Sequence, residues 1–416
     1  VNSLDFDIAI VGAGPAGTAA CLALEGSGLS IALIDKDGFP RDKICGDALS
    51  PDVVSQLNKL PLDTGPLFDQ MQEKIWCRAV RFVAPNFKHV DLQLTKNSIT
   101  GYVSKRWDFD HYMFEQAVKS SNVKAITGQK VNDVSVHASH AEVQLEDGTK
   151  IKAAMVLGGD GANSVVKRKL QGEEIDRNHH CAGLRVYYEN VHGFSDDNAV
   201  ELHFYKDLLP GYFWVFPLPG NHANVGLGMH SAHIAKRKPN LKKMLAEIIE
   251  QHPNVAPRFK DAKPLETVKG FGLPLGSKKR KISGERYLLL GDAASLINPL
   301  SGEGIGNAIR SGRVAAEYLV EAFKANSFTA SANRAYDREI YHRMWKELQL
   351  NYWLQRVMRN PTLCNFVVER AIASPSVQKM VLSGFDVDNI KSQLRKPSFY
   401  WHLLRQNNGH KKSQAL

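Results

Sequence analysis

Residues 6–11 form a largely apolar run with two isoleucines and a valine, which stops at Gly12-Ala13-Gly14-Pro15-Ala16-Gly17. An alanine-rich stretch follows to about residue 25, residues 26–28 break it, and residues 31–34 are a second apolar run ending at Asp35. The pattern predicts strand, tight turn, helix and strand, the opening of a βαβ unit. Further on, residues 108–119 read as a helix. Residues 134–145 alternate like one strand, and Glu146-Asp147-Gly148 follows as a hairpin turn. Residues 154–157 and 287–290 are short buried strands, and residues 199–230 hold aromatic and β-branched runs that suggest sheet. Residues 304–324 predict a helix. Helical patterns dominate from Asn333 onward, interrupted at Pro361 and Pro375.

Composition narrows the class. A chain of 416 residues suits two to three domains, and 43% hydrophobic with 23% charged residues is ordinary for a soluble globular protein. No apolar run reaches the roughly 18 residues that would span a membrane. The chain opens at Val1 and enters an apolar strand almost at once, so a secretory leader is not expected, though a few preceding residues are. The formal charge of +10 favours either an anionic partner, such as a phospholipid headgroup or a diphosphate, or simply a solvated basic surface. Lys278-Lys279-Arg280-Lys281 reads as a solvated turn. Nucleic acid is not an expected partner, because zinc-finger spacing and an aromatic RNA-binding motif are both missing. Cys21, Cys45, Cys77, Cys181 and Cys364 are scattered without a CxxC, which argues against a disulfide framework or a structural zinc. A reducing, cytoplasmic setting is expected.

Gly12, Gly14 and Gly17 make a GxGxxG between a strand and a helix. The first glycine permits the turn, the second lets backbone approach a pyrophosphate, and the third lets helix pack on strand. The helix start, opened by Pro15, offers free N–H groups from Ala16 onward. Asp35, with Lys36 beside it, stands about 20 residues on, where an acid accepts from an adenosine ribose. This predicts a dinucleotide site, but FAD and NAD share the fingerprint.

Other segments decide between them. Gly159-Asp160-Gly161-Ala162-Asn163-Ser164 follows one short strand. Gly291-Asp292-Ala293-Ala294 follows another and leads into Pro299-Leu300-Ser301-Gly302-Glu303-Gly304-Ile305. Arg106, with Phe109-Asp110, opens a helix. In these motifs and their order the sequence resembles the FAD-dependent group that includes aromatic-ring hydroxylases, flavin-dependent halogenases and geranylgeranyl reductases. The resemblance implies that Asp292, after Gly291, binds the flavin ribityl chain. It places Pro299, Gly302, Gly304 and Ile305 beside the flavin ring, and Asp160 and Arg106 in the cofactor domain.

Two more segments resemble geranylgeranyl reductases in particular. Pro210-Gly211-Tyr212-Phe213-Trp214-Val215-Phe216-Pro217 matches a YxWxFP pattern, and Arg41-Asp42-Lys43-Ile44-Cys45-Gly46 matches a Lys-x-Cys-Gly segment. The resemblance implies that Cys45 lies at the active site and that the aromatic segment, Tyr212, Trp214, Phe216 and Pro217, lines an isoprenoid tunnel. Strand alternation independently puts Tyr212, Trp214 and Phe216 on one face. The sequence departs from the reductases at Asp47, where another glycine is common. Halogenases carry a similar WxWxIP and need a lysine; spacing alone does not exclude Lys74, but Tyr212 replaces the first tryptophan and the cysteine segment fits that pattern poorly.

The expected fold is α/β: a Rossmann-like FAD-binding domain (residues 1–60, 100–170 and 280–330), an inserted antiparallel β-sheet substrate domain (61–99 and 171–279), and C-terminal helices (331–416). The expected reaction saturates C=C bonds of an isoprenoid chain by hydride transfer from reduced FAD. Cys45 is the first candidate proton donor and Tyr212 the second. NAD(P)H or a ferredoxin-like protein would supply electrons. The alternatives are a monooxygenase or halogenase acting on an aromatic ring, and a non-catalytic prenyl-binding protein. No metal is expected: His179 and His180 are adjacent on a strand and point to opposite faces. Phe399-Tyr400-Trp401-His402-Leu403-Leu404-Arg405, with Lys411 and Lys412, reads first as a docked terminal helix and second as a peripheral membrane anchor.

Overall fold

The computed structural model describes residues 3–62, 69, 71, 73–94, 101–172, 175–375, 377 and 378. The strand Ser3–Val11 lies between two parallel partners, Lys150–Gly158 and Ile31–Ile34. Ile8, Ala9 and Ile10 are fully buried, because helices and loops cover both faces of a parallel sheet and so demand apolar residues at successive positions. The sheet runs Ser283–Gly284, Tyr287–Leu289, Lys150–Gly158, Ser3–Val11, Ile31–Ile34, Val123–Ile126. Residues 134–145, expected as one strand, are part of a hairpin instead. Val131–Val136 and Ala141–Leu145 pair antiparallel, and the His137 N–H donates to the His140 carbonyl at 2.8 Å. The reason lies in the sequence phase. Val134 and Val136 are at even positions, while Ala141, Val143 and Leu145 are at odd ones, and a continuous strand cannot change face between them.

The fingerprint helix Pro15–Ala23 packs on Ile305–Lys324. Small residues allow this close approach: a Cβ on Gly312 would stand 2.3 Å from the Ala16 carbonyl oxygen. The helix Ala330–Val357 buries Tyr336, Ile340, Met344 and Leu348, a four-residue repeat along one helix face. Pro361 does more than interrupt: it starts the helix Pro361–Ala373, where a proline lacks only an N–H that would have had no partner, and the Asn360 side chain caps the turn.

A second sheet runs Lys263–Pro264, His180–Glu189, His222–His230, Tyr212–Leu218, Val200–His203, Ala79–Val83, His89–Gln93, with Lys269–Pro274 also on His180–Glu189. Its described pairs are antiparallel except for Val200–His203 with Ala79–Val83, so the expected antiparallel sheet is mixed at one pair. A small sheet of Ala48–Leu49, Gly101–Ser104 and Lys74–Cys77 follows the cysteine segment in the chain. No described helix is long and apolar enough to cross a membrane. Residues 399–405, Lys411 and Lys412 lie outside the described residues.

Candidate active site

A cavity of about 1480 Å³ extends from the glycine turn of the first sheet to the aromatic strand of the second. At the turn, Gly12 has φ +100°, and a Cβ there would stand 2.4 Å from the Gly159 carbonyl oxygen. A Cβ on Gly17 would stand 1.9 Å from the Gly12 carbonyl oxygen. These two glycines bring backbone against backbone. Gly14 differs: its nearest neighbour would be Arg41 Nη2 at 3.6 Å, and the glycine opens onto the cavity with Pro15 and Ala16. Asp35 is buried. Its carboxylate accepts the Ala13 N–H at 2.8 Å and the Asp37 N–H at 3.1 Å, leaving lone pairs for a further donor. Lys36 reaches the cavity rim but pairs with Asp37 across an exposed surface.

Asp160 caps the helix Val165–Gln171: one carboxylate oxygen accepts from the N–H groups of Val165 (2.6 Å) and Val166 (3.2 Å). Its other oxygen is buried without a protein partner. Burial raises the Asp160 pKa above the ordinary carboxylate value, and it raises that of Asp292 against the opposing charges of Lys43 and Arg106. Arg106 is buried at the first position of its helix and holds Asp110 through two hydrogen bonds of 2.6 and 2.7 Å. Gly302, Gly304 and Ile305 line the cavity with Asp292. Gly17, Gly291, Pro299 and Pro217 are not in the lining. Gly291 takes φ +52°, and the Pro299 carbonyl accepts from Gln355 at 2.6 Å.

Together, a glycine cradle at a helix N-terminus, a buried carboxylate oxygen without a partner and Asp292, whose carboxylate would stand 3.1 Å from a Cβ on Gly304 just before the helix Ile305–Lys324, fit an elongated dinucleotide such as FAD.

Beyond this end the cavity turns apolar. Cys77, Val80, Leu94, Val200, Leu202 and Phe271 line it with Tyr212, Trp214 and Phe216. The three aromatic rings follow one another with centroids 6.2 Å apart at each step. The Tyr212 hydroxyl donates to the Ser301 carbonyl, tying the aromatic strand to the Pro-to-Gly loop. Burial holds its phenol well above the ordinary tyrosine range.

Cys45 lies in the lining where the two ends meet. Burial raises its pKa, and the Asp47 carboxylate raises it further. Arg106 and the Asp47 backbone amide act in the opposite direction. Gly46 has a packing reason, because a Cβ there would stand 2.9 Å from the Phe216 ring.

Sequence reasoning missed the network behind this loop. Asp47 is fully buried in the left-handed region at φ +66°. One of its carboxylate oxygens accepts from the Tyr187 hydroxyl at 2.5 Å and from Asn224 at 2.8 Å. Asn224 also donates to the Cys45 carbonyl and accepts from the Trp214 indole. Asp47 itself was visible as a departure from the reductase pattern, but its partners are more than a hundred residues away in sequence. Glu303 was passed over inside its motif. Burial and the neighbouring Asp52 push its pKa up to about 7, and it accepts from the Ser50 hydroxyl.

Lys74 is not in the cavity lining. His179 and His180 bond separately to Ser277 and Ser231, each at 2.8 Å. Among the described residues, His137, His140 and Glu142 come within ligating distance of one another on the exposed hairpin, where Glu142 is already paired with Lys150 at 2.7 Å.

A family model described as "FAD binding domain" matches residues 5–348. The chain is 29% identical over 409 residues to digeranylgeranylglycerophospholipid reductase 1 of Methanopyrus kandleri, covering 94% of this chain and 97% of that one. It is 29% identical over 335 residues to menaquinone reductase of Mycobacterium tuberculosis, covering 75% and 76%. Among solved structures, a geranylgeranyl bacteriochlorophyll reductase-like protein of Thermoplasma acidophilum superposes with a TM-score of 0.79 at 24% identity, covering 94% and 99%.

Proposed function

The chain belongs to the FAD-binding-domain family and is an FAD-dependent oxidoreductase, and from that premise we propose that it saturates carbon–carbon double bonds of a polyprenyl chain. One observation carries the reading. The cavity joins a dinucleotide cradle to an apolar, aromatic-lined arm, with a protonated thiol at the junction. The substrates named by the two relatives, a digeranylgeranyl glycerophospholipid and a menaquinone, share a polyprenyl chain.

The reduced cofactor supplies a hydride. The chain's own residues do the rest. Gly12, Gly14, Gly17, Pro15, Ala16, Asp35 and Lys36 form the pyrophosphate and ribose end. Arg106, Asp160 and Asp292 would hold FAD along its length, and Gly302, Gly304 and Ile305 would offer backbone to its ring, with Gly291 and Pro299 shaping the loop. Tyr212, Trp214 and Phe216 hold the prenyl chain and exclude water, and Pro217 follows them within the same strand. An isolated alkene is a poor hydride acceptor, so holding the bond in place is a large part of the catalysis. Cys45 keeps its proton at neutral pH because burial disfavours the thiolate, and Cys45 Sγ–H gives that proton to the second alkene carbon. Tyr212 is the weaker candidate, since its hydroxyl proton is already committed to Ser301.

The sequence holds a single GxGxxG, so electrons come from NAD(P)H bound outside a second Rossmann domain or from a ferredoxin-like protein. The test is anaerobic. Chemically reduced protein is incubated with a panel of prenyl lipids, and each saturated bond adds two hydrogens to the lipid mass. Turnover that requires oxygen would replace this reading with a monooxygenase or halogenase. Purified protein without flavin absorbance would favour a prenyl-binding role.

A further inference from the structure

We infer that Asp47 is the proton store of this site, the buried carboxyl that recharges the Cys45 thiol after each alkene is protonated; the inference rests on the function proposed above. Asp47 is two residues from Cys45 on one loop, is fully buried, and lies in the lining of the same cavity. Both of its protein donors, Tyr187 and Asn224, bond to one carboxylate oxygen. The other oxygen is buried with no protein partner, so it is the oxygen that carries the proton when the acid is protonated, below about pH 6. A buried carboxyl with one oxygen unsatisfied costs stability, and the left-handed backbone of this residue adds to that cost. The site holds the group in place through Asn224, whose one amide nitrogen binds both the Cys45 carbonyl and the Asp47 carboxylate.

The surroundings set the direction of transfer. Asp47 faces Tyr187 and Arg185 from the strand His180–Glu189, Arg106 from its helix start, and Cys45 from its own loop. Asp42, on the same segment, is neutralised by Arg185 at 2.8 Å, and Lys105 lies over the Tyr187 ring. Burial pushes the Asp47 pKa up to about 6, against the opposing hydrogen bonds of Tyr187 and Asn224. The Cys45 thiol lies above its ordinary value of 9.0. A proton therefore moves downhill from the carboxyl to a thiolate.

The step balances. As the new C–H bond forms on the substrate, the Cys45 S–H bond breaks and its electron pair stays on sulfur beside Arg106. The Asp47 O–H bond then breaks, its proton passes to sulfur directly or across one water, and its electron pair stays on the carboxylate. Water returns the proton to Asp47 before the next bond.

The test uses Asp47→Asn, with Asp47→Gly as the second variant because glycine takes φ +66° without strain. The first readout needs no cofactor or substrate: the pH dependence of Cys45 alkylation by iodoacetamide, followed by peptide mass mapping. Removing the carboxylate should move the profile to lower pH. An unshifted profile in both variants overturns the inference whether or not any lipid is reduced. The second readout is the rate of successive bond reductions in one prenyl chain. In wild type these rates should be similar and should fall as pH rises past about 6. In the variants, the first bond should outpace later ones at least tenfold, since Cys45 starts charged but is not refilled. Equal slowing of first and later bonds means a merely structural role and overturns it. Wild type that reduces no prenyl lipid would instead remove the proposed function, and the alkylation profile would still judge the coupling of Asp47 to Cys45.

Discussion

Asn224, on a strand of the second sheet, donates its side-chain amide to the carbonyl of Cys45 at 2.8 Å. The two are 179 residues apart in sequence, and this bond fixes the cysteine loop against the strand His222–His230, beside the aromatic strand. The same side chain accepts from the Trp214 indole at 2.9 Å, so one residue positions both the thiol and the middle ring of the apolar arm.

Asn224→Ala should leave the Trp214 N–H and the Cys45 carbonyl without this partner. The expected loss of stability is about 1–3 kcal/mol for each group left unsatisfied. Urea unfolding of wild type and variant measures it. An unchanged midpoint would mean that water replaces the amide and that the loop is held by other contacts.

Gly17 and Gly14, two of the fingerprint glycines, should fail in different ways. Gly17→Ala puts a methyl 1.9 Å from the Gly12 carbonyl oxygen, and that backbone cannot move without opening the strand–helix turn, so misfolding is expected. Gly14→Val has room in the empty fold, with only the end of Arg41 nearby at 3.6 Å. It should fold and fail to retain FAD, because the side chain fills the space of the pyrophosphate. Circular dichroism and flavin absorbance separate the two; a folded Gly14→Val with full flavin would remove this turn from the cofactor site.

Asp292→Ala should weaken FAD binding by about 1–3 kcal/mol, the loss of a buried hydrogen bond to the cofactor. Titration of apoprotein with FAD, followed by flavin fluorescence, reads this directly. Equal affinity would leave Asp292 with a role in shaping the helix start alone.

Glu303 should make stability depend on pH. Its pKa in the folded chain is about 7, above the ordinary 4.5, because burial and Asp52 disfavour its charge. Below pH 4.5 both folded and unfolded chains hold the proton. As pH rises from 4.5 through 7, the unfolded chain releases it first, so the stability contribution is progressively lost. Glu303→Gln should flatten this decline in denaturation curves of the apoprotein. A decline of the same slope in the variant would assign it to other groups.

Much of the glycine-turn end of the cavity was legible because its geometry is local. The turn 12–17, the acid at 35 and the helix start at Arg106 are each read from a few neighbouring residues, and the geometry of the turn follows from its glycines. The aromatic stripe was legible for a similar reason, since strand alternation puts residues 212, 214 and 216 on one face. The Asp47–Tyr187–Asn224–Trp214 network was not, because Tyr187, Asn224 and Trp214 come from three strands brought together by sheet register, and Asp47 reaches them from a loop more than a hundred residues away in sequence. The hairpin at 137–140 was missed by following alternation without its phase, and the phase change was present in the sequence. The buried Arg185, held by Asp42 and Glu266, could not be told from an exposed strand arginine by pattern.

Cys45 separates chemistry from packing. Its thiol stays protonated at neutral pH, which a proton donor to carbon requires, and it lies where cradle and apolar arm meet. Cys45→Ala removes the donor and leaves a small apolar side chain. Cys45→Ser keeps nearly the same size and a weak donor. If the thiol gives the proton, the alanine variant should still bind FAD, and its alkene-reduction rate should fall by about a hundredfold or more, the usual scale for a lost general acid. Serine should lie between, because its hydroxyl can reach the same carbon but parts with its proton less readily. If Cys45 only fills space, the order reverses: alanine is mild, and serine is worse for want of hydrogen-bond partners in an apolar wall. Stopped-flow measurement of flavin reoxidation by a prenyl lipid, without oxygen, ranks the three proteins. Alanine equal to wild type would leave the proton to come from Tyr212 or from water, and the arginine beside the sulfur would then be stabilising no more than a packed thiol.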